Sequence, residues 1–221
     1  MSRHILLDGP IQCLGGQHSP PKEVIRIINK YSKIKKDETM TKKEFKRLWN
    51  GLLTHFNARV IKKSDDELME AIASFLDVLK IQNREAFLNN WAITLRHNIY
   101  LPFTVGDDSK ITLEEQLIVL CHELTHVPQW DDPLFVLRYV SSTAHRAEEE
   151  TEALIAGLEA CHLLIGALPP LNEEAVKLKA YGCKKADIKV VEKALTMASI
   201  KIEKGGVSTE AGKVLRKLML S

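Results

Sequence analysis

The fold of this chain is organised around residues 112–127, whose sequence is TLEEQLIVLCHELTHV. Thr112 and Glu115 have the spacing of a capping box, so a helix is predicted to begin at this point. Four leucines line one face of that helix, and Ile118 and Val119 lie on the opposite face. Because a helix that is apolar nearly all round is typical of a core, we predict that it is buried on both sides.

The same helix carries the sequence His-Glu-Leu-Thr-His at residues 122–126. Side chains four residues apart stand about 40° apart around a helix axis, so His122 and His126 can take adjacent corners of a tetrahedral zinc site. Glu123 lies between them and can reach a zinc-bound water, from which it would take a proton as general base. The alternative is a pair of core histidines satisfied by ordinary hydrogen bonds.

A catalytic zinc site usually needs a third protein ligand. Five candidates follow within eight residues: His145, Glu148, Glu149, Glu150 and Glu152. On a helical wheel of residues 146–165, Glu150 falls within an apolar stripe and Glu149 on its flank. Three acidic residues fall on the opposite face, where we expect water: Glu148, Glu152 and Glu159. Because a carboxylate in an apolar face is costly unless it is paired or metal-bound, Glu150 is the predicted third ligand and His145 its main rival.

This set of residues resembles the gluzincins, the zinc peptidases whose metal is held by two histidines and a glutamate. In many gluzincins the second ligand helix carries Glu-x-Glu-Ala, and residues 150–153, Glu-Thr-Glu-Ala, match this pattern. The resemblance covers about residues 91–165 and implies a zincin-like core with Glu123 as the catalytic base. It departs at Leu154, where gluzincins often have an Asp or Asn that supports the histidines, so we expect other partners for them here.

Two further segments share in this resemblance. Residues 91–95 and 99–103 are β-rich runs around a polar turn, which predicts an antiparallel hairpin. Pro102 lacks a backbone donor and would suit an edge strand. The hairpin ending in Ile99–Phe103 resembles the edge strand of zincins, along which an extended peptide lies by strand addition. Gln129, three residues after His126, resembles the His-x-x-Gln continuation of several small, poorly characterised zincins.

The whole chain is predicted to be α+β and predominantly helical, with this small antiparallel sheet beside the active-site helix. The N-terminal part has predicted helices over 22–30, 41–53 and 65–79 and a short strand over 56–61. From residue 112 onward the predicted helices are 112–127, 133–140, 144–165, 172–181, 185–203 and 208–219. The helix over 65–79 is amphipathic, and its predicted buried face contains Leu68, Ala71, Ile72, Phe75, Leu76 and Leu79.

The chain is expected to form one compact unit from three regions. Residues 1–90 form an N-terminal, mostly helical region, residues 91–165 the zincin-like catalytic core, and residues 166–221 a C-terminal helical region. Composition is ordinary for a globular protein, with 45% hydrophobic and 27% charged residues. The 31 basic and 29 acidic residues nearly balance, which argues against a dedicated nucleic-acid-binding protein.

The cysteines and the N-terminus indicate the compartment. The four cysteines are widely spaced and never form a C-x-x-C pair, so buried free thiols are expected rather than a disulfide framework or a cysteine zinc site. The apolar run near the N-terminus is too short for a signal peptide, and no stretch approaches the ~20 apolar residues of a membrane span. We therefore expect a cytoplasmic protein without membrane contact.

The motif and the resemblance together predict a zinc-dependent metallopeptidase that acts on a peptide or protein substrate. One alternative is a three-histidine metalloprotease that uses His145, as in the SprT-like DNA-linked proteases, and the basic C-terminal helices leave this open. Another is a non-catalytic regulatory protein with a structural zinc. Peptide hydrolysis also needs a donor to the developing oxyanion, for which the sequence leaves His145, Arg146 and Tyr139 as candidates.

Overall fold

The computed structural model of the chain describes residues 40–78 and 84–221. The helices are α1 (Lys42–His55), α2 (Glu67–Val78), α3 (Arg84–Asn90), α4 (Leu113–Gln129), α5 (Phe135–Ser141), α6 (Thr143–Ile165), α7 (Leu171–Val176), α8 (Lys185–Glu203) and α9 (Glu210–Met219). The strands are β1 (Arg59–Lys62), β2 (Ile93–Leu95) and β3 (Asn98–Leu101). The predicted α+β class with a predominance of helix is thus confirmed. The predicted helix over 22–30 and Cys13 lie outside the described residues.

The strands form one mixed sheet in the order β1-β3-β2. β2 and β3 pair antiparallel, with Leu95 opposite Asn98, so the predicted hairpin is present. β1 pairs with β3 in parallel, with Arg59 opposite Asn98. The expectation that Ile99–Phe103 forms an edge strand is therefore wrong, because β1 covers the second side of β3. Pro102 directly follows the last residue of β3 and removes no donor from the ladder. Among the described strands, β1 and β2 lie at the two edges of the sheet.

Helix α4 runs through the main hydrophobic core, as its sequence predicts. Leu117, Leu120 and Leu124 are fully buried, and burial of such a side chain contributes about 1.5–3 kcal/mol. The capping box is also present, because the Glu115 N–H donates to Thr112 Oγ1 at 3.2 Å and the Thr112 N–H donates to Glu115 Oε2 at 2.6 Å. Residues of α1, β3, α6 and α9 complete this core, so all three regions of the chain contribute to it.

Helix α2 buries a different face from the one predicted. Leu68 and Phe75 were expected inside, but they are 53% and 62% exposed. Met69 and Ala73 are buried instead, in a small core with residues of α3 and with Tyr100 of β3. The helix has apolar side chains on neighbouring faces, and the position of α3 and the sheet decides which face is covered.

Most remaining elements follow the predictions with small changes, whereas α3 (Arg84–Asn90) was not predicted. The helix predicted over 172–181 is shorter, because α7 ends at Val176 and continues as a 3-10 turn, Lys177–Lys179. Cys121, Cys161 and Cys183 are free and buried, as expected. Among the described helices, none is both long enough and apolar enough to cross a membrane.

Candidate metal centre

The two histidines of α4 and one glutamate of α6 lie together. The ring centroids of His122 and His126 are 5.2 Å apart, and the ring planes are inclined by 75°. Glu150 Oε2 lies 3.6 Å from His122 Nε2, and Glu150 Oε1 lies 3.9 Å from His126 Nε2. One possible ligand atom from each residue lies within 4.8 Å of the other two, so the group could hold a metal ion.

The Glu150 carboxylate is buried but incompletely hydrogen-bonded. Tyr139 donates its hydroxyl proton to Oε1 at 2.5 Å, whereas Oε2 has no hydrogen-bond partner among the described residues. Burial raises the pKa of Glu150, but the imidazoles of His122 and His126 outweigh burial when they are protonated and lower the pKa to about 2. When the two imidazoles are neutral, as metal ligands must be, a buried carboxylate with one free oxygen is costly unless another cation compensates it. A metal ion beside the two imidazoles would do so.

His126 is oriented by the residue three positions further along α4. Its Nδ1 lies 2.7 Å from Gln129 Oε1, and because this oxygen can only accept, Nδ1 carries the proton and Nε2 keeps its lone pair for a metal. Gln129 Nε2 in turn donates to the Glu149 carbonyl of α6 at 3.3 Å. This bridge is the kind of outer support that metal-binding histidines need. Leu154, which replaces the gluzincin Asp or Asn, lies buried in a second hydrophobic core.

Glu123, the predicted catalytic base, is held by the sheet. Its Oε2 accepts a hydrogen bond from Thr94 Oγ1 at 2.7 Å, and its side chain is nearly buried. Thr94 belongs to the edge strand β2, and its carbonyl accepts from the indole Nε1 of Trp130 at 3.1 Å. The carboxylate therefore has a defined position one residue from His122 while staying outside the group of possible ligand atoms.

The other four candidates for the third ligand lie away from this group. His145 sits between two glutamates, with its Nε2 3.2 Å from Glu149 Oε1 and its Nδ1 3.6 Å from Glu148 Oε2. Glu148 and Glu152 are exposed, as the helical wheel predicts. Of the five candidates, the structure brings Glu150 to the histidines.

The wheel is wrong about Glu159, which was expected in water and is 1% exposed. Its Oε1 accepts from the Ser208 N–H at 2.6 Å and from Ser208 Oγ at 2.7 Å. Its Oε2 accepts from the Thr209 N–H at 3.2 Å and from the Thr209 hydroxyl. These donors lie at the N-terminus of α9, which covers this face of α6, and a wheel drawn for one isolated helix does not include them.

The three sequence-based candidates for an oxyanion donor all have other partners. His145 contacts the two glutamates described above, and Tyr139 donates to Glu150. Arg146 donates from Nε to the Tyr139 carbonyl at 2.9 Å and from Nη2 to the Val140 carbonyl at 3.1 Å. Its Nη1 donates to the Tyr181 carbonyl.

Sequence reasoning noted Gln129 only as part of a His-x-x-Gln pattern and missed Thr94. The role of Gln129 could have been found, since its place three residues after His126 puts both on one helix face. Thr94 gives no such signal, because its contact with Glu123 joins a strand to a helix 29 positions further along the chain.

Two imidazole nitrogens and one carboxylate oxygen form a donor set that suits Zn²⁺ and is used in catalytic zinc sites. The residues present therefore fit the metal that the motif predicts. Comparison of the chain with protein-family models, with curated proteins and with solved structures found no match. The interpretation of this site rests on its own geometry.

Proposed function

We propose that this protein is a zinc-dependent metallopeptidase whose metal is held by His122, His126 and Glu150. The observation that carries the proposal is the unpartnered Oε2 of the buried Glu150, which faces the same space as two imidazole nitrogens. Buried polar atoms are almost always paired, so an orphaned carboxylate oxygen needs an explanation. A divalent cation that binds the two imidazole nitrogens and the free oxygen of Glu150 would account for all three groups.

The neighbouring residues suit hydrolysis of a carbonyl compound. Zinc at such a site lowers the pKa of a bound water toward neutrality and polarises a substrate carbonyl. Glu123, oriented by Thr94, accepts the proton of the attacking water and passes it to the leaving amine. Gln129 and Tyr139 hold His126 and Glu150, so that the ligands are in position before the metal binds.

Three features favour a catalytic metal over a purely structural one. The ligand group within the described residues has three members, which leaves one position of a tetrahedral zinc for water or substrate. The side chain of His122 is 19% exposed, so solvent reaches this side of the group. Glu123 places a carboxylate next to the ligands, where it can act as a general base, whereas a structural zinc site needs no such residue.

The three-histidine alternative has weaker support. His145 would have to leave both Glu148 and Glu149 to become a ligand. Glu150 would then remain as an ionised carboxylate with a free oxygen beside the metal.

A peptide is the substrate class that the surroundings favour. No strand within the described part of the chain covers the outer side of β2, and the same strand carries Thr94, which contacts Glu123. An extended peptide that lies beside β2 would bring a backbone carbonyl close to the base and the metal ligands. In this proposal β2 takes the role that the resemblance assigned to Ile99–Phe103.

The proposal is tested by comparing the full-length wild type with E123Q. We expect both proteins to bind about one zinc per chain, because Glu123 is not a ligand. The zinc-loaded wild type should cleave members of a random peptide library, and E123Q should not, because it cannot accept the proton. E152Q changes an exposed glutamate of α6 and serves as the matched control, which should cleave like the wild type.

Two results would contradict the proposal in different ways. If the wild type binds no zinc under conditions in which it is folded, the metal site itself is wrong. If it binds zinc but wild type and E123Q behave identically toward peptides, the peptidase is ruled out, and a regulatory zinc protein becomes the better interpretation.

A further inference from the structure

The proposed reaction needs a donor to the substrate carbonyl oxygen, on which negative charge develops as water attacks. Arg146 and Tyr139 donate to other groups of the protein. His145 Nε2 makes no hydrogen bond with a described residue, but it faces Glu149 Oε1 at 3.2 Å and lies outside the group of possible metal ligands. A suitable donor should border the site and have a hydroxyl or N–H that is free to donate toward it. We propose that the Tyr181 hydroxyl is this donor and stabilises the oxyanion, an assignment that rests on the proposed function.

The main chain of Tyr181 is fastened to the α6 side of the site. Its carbonyl accepts a hydrogen bond from Arg146 Nη1, and another nitrogen of the same guanidinium holds the carbonyl of Tyr139. Arg146 lies one helical turn before Glu150, and Tyr139 donates to Glu150. One arginine therefore ties the chain around Tyr181 to the helix turn and the tyrosine that border the proposed third ligand.

The ring of Tyr181 reaches toward the sheet side of the site. It meets the ring of Trp91 edge-on, with centroids 5.6 Å apart. Trp91 lies two residues before the first residue of β2, Ile93, and three residues before Thr94, which donates a hydrogen bond to Glu123. Tyr181 thus contacts Arg146 of the helix that carries Glu150 and also Trp91, which lies just before the strand that carries Thr94.

The hydroxyl of Tyr181 is available to donate. The hydrogen bonds that Tyr181 makes with described residues involve its main chain, with Arg146 and with the Leu178 carbonyl. Burial raises the pKa of Tyr181 well above its usual value, and the charges of Glu150 and Glu123 raise it further. The phenol therefore keeps its proton at neutral pH, and its sensitivity to both carboxylates agrees with a location beside them.

The role assigned to Tyr181 involves no covalent change at this residue. The water oxygen bonds to the carbonyl carbon, and the proton of the water passes to Glu123. The carbonyl oxygen becomes negative and accepts a hydrogen bond from the Tyr181 hydroxyl, which keeps its proton. The C–N bond then breaks as Glu123 returns the proton to the amine.

The test compares Y181F with Y100F in the full-length, zinc-loaded protein. Tyr100 is buried in the small core beside β3, so Y100F removes a hydroxyl from the protein without touching the site. On the library peptide that the wild type cleaves fastest, kcat of Y181F should fall by about 100-fold, as for loss of one oxyanion donor. KM and zinc affinity should stay unchanged, and Y100F should match the wild type. Y181H keeps a donor and should recover part of kcat.

A second measurement does not depend on turnover. Inorganic phosphate is a tetrahedral oxyanion, and its binding to the Co²⁺-loaded proteins can be followed by visible absorption. Loss of one hydrogen bond should weaken phosphate binding of Y181F by roughly 5- to 10-fold relative to both the wild type and Y100F.

The outcomes separate failure of Tyr181 from failure of the proposed function. If the wild type cleaves peptides, E123Q does not and Y181F keeps the wild-type kcat, the role of Tyr181 is wrong while the peptidase stands. Equal loss of zinc affinity and of kcat in Y181F would also overturn it, because Tyr181 would then act through the metal. If no variant cleaves any peptide, the proposed function fails, and unchanged phosphate binding by Y181F would exclude Tyr181 as an anion donor as well.

Discussion

Glu150 and Glu159 lie on the same helix, α6, and are buried to the same degree, at 2% and 1% exposure, but their surroundings differ. Both oxygens of Glu159 accept hydrogen bonds from Ser208 and Thr209 at the start of α9. Within the described residues, Glu150 receives one hydrogen bond, from Tyr139, and its second oxygen lies 3.6 Å from His122 Nε2 without a hydrogen-bond partner.

The difference shows how the cost of burying a charge can be offset in two ways. For Glu159 the protein supplies all the donors, including those of a helix N-terminus, where a negative charge is favourable. For Glu150 the donors are incomplete, and the neighbouring imidazoles are themselves good metal ligands. Burial alone would not separate a structural carboxylate from a candidate ligand, whereas the count of hydrogen-bond donors does.

The largest effect should be on zinc binding by E150Q. If zinc binding is worth ~10 kcal/mol and three residues share it, loss of one ligand costs about 3 kcal/mol, or roughly 100-fold in affinity. Competition with a chelator of known affinity measures this value. E159A should bind zinc like the wild type, and a larger loss of zinc in E159A than in E150Q would reverse the comparison.

The second prediction concerns stability instead of zinc binding, and here the loss of Glu159 should matter more than the loss of Glu150. Without metal, E159A should lower the free energy of unfolding by about 2–4 kcal/mol, because four donors, two of them on the buried Thr209, lose a charged acceptor. E150Q keeps the acceptor for Tyr139 and should cost less. Urea denaturation of both proteins in chelator measures the difference, with the exposed E152A as control. G212A offers an independent check, since an added Cβ would collide with Glu159 Oε2.

A buried lysine tests the same question, the cost of burying a charge, through the pH dependence of stability. Lys63 is fully buried, and its Nζ donates to the carbonyls of Phe87 and Trp91 at 2.8 and 3.2 Å. Burial lowers the pKa of Lys63 to about 8, although the charge of Glu123 opposes this change. Between pH 8 and the unfolded pKa near 10.5, the unfolded chain binds the additional proton, so this residue makes the protein more stable as pH rises.

The measurement for Lys63 is the difference in unfolding free energy between wild type and K63M at pH 7.5 and at pH 10. The difference should shift in favour of the wild type at pH 10, on the order of 1–3 kcal/mol. The Lys63 ammonium also lies 3.4 Å from the centroid of the Phe87 ring. A shift of the opposite sign would mean that this ring and the two carbonyls favour the charged ammonium more than burial disfavours it.

The smallest effect should come from Q129A. It removes the acceptor of His126 Nδ1–H and the link to the Glu149 carbonyl, but no proposed ligand. Loss of such a supporting partner typically weakens metal binding by about 10-fold, less than the loss of Glu150. The same chelator competition measures it. If Q129A bound zinc as weakly as E150Q, Gln129 would be essential to the ligand geometry rather than a support for one histidine.

The sequence by itself determined the features that depend on the period of one helix. The capping box at Thr112, the burial of α4 and the shared face of His122 and His126 all follow from spacing within a single element. The same periodicity selected Glu150 from its acidic neighbours, because the apolar stripe of α6 is a local pattern.

The tertiary structure decided every feature that depends on how the helices and strands pack against one another. Strand β1 made β3 central, α3 and the sheet chose the buried face of α2, and the start of α9 buried Glu159. The hydrogen bond from Thr94 to Glu123 is a further example, because it joins segments that are far apart in the chain. Helical periodicity is fixed by local backbone geometry, whereas these pairings are chosen by the packing of the whole chain, which no single segment encodes.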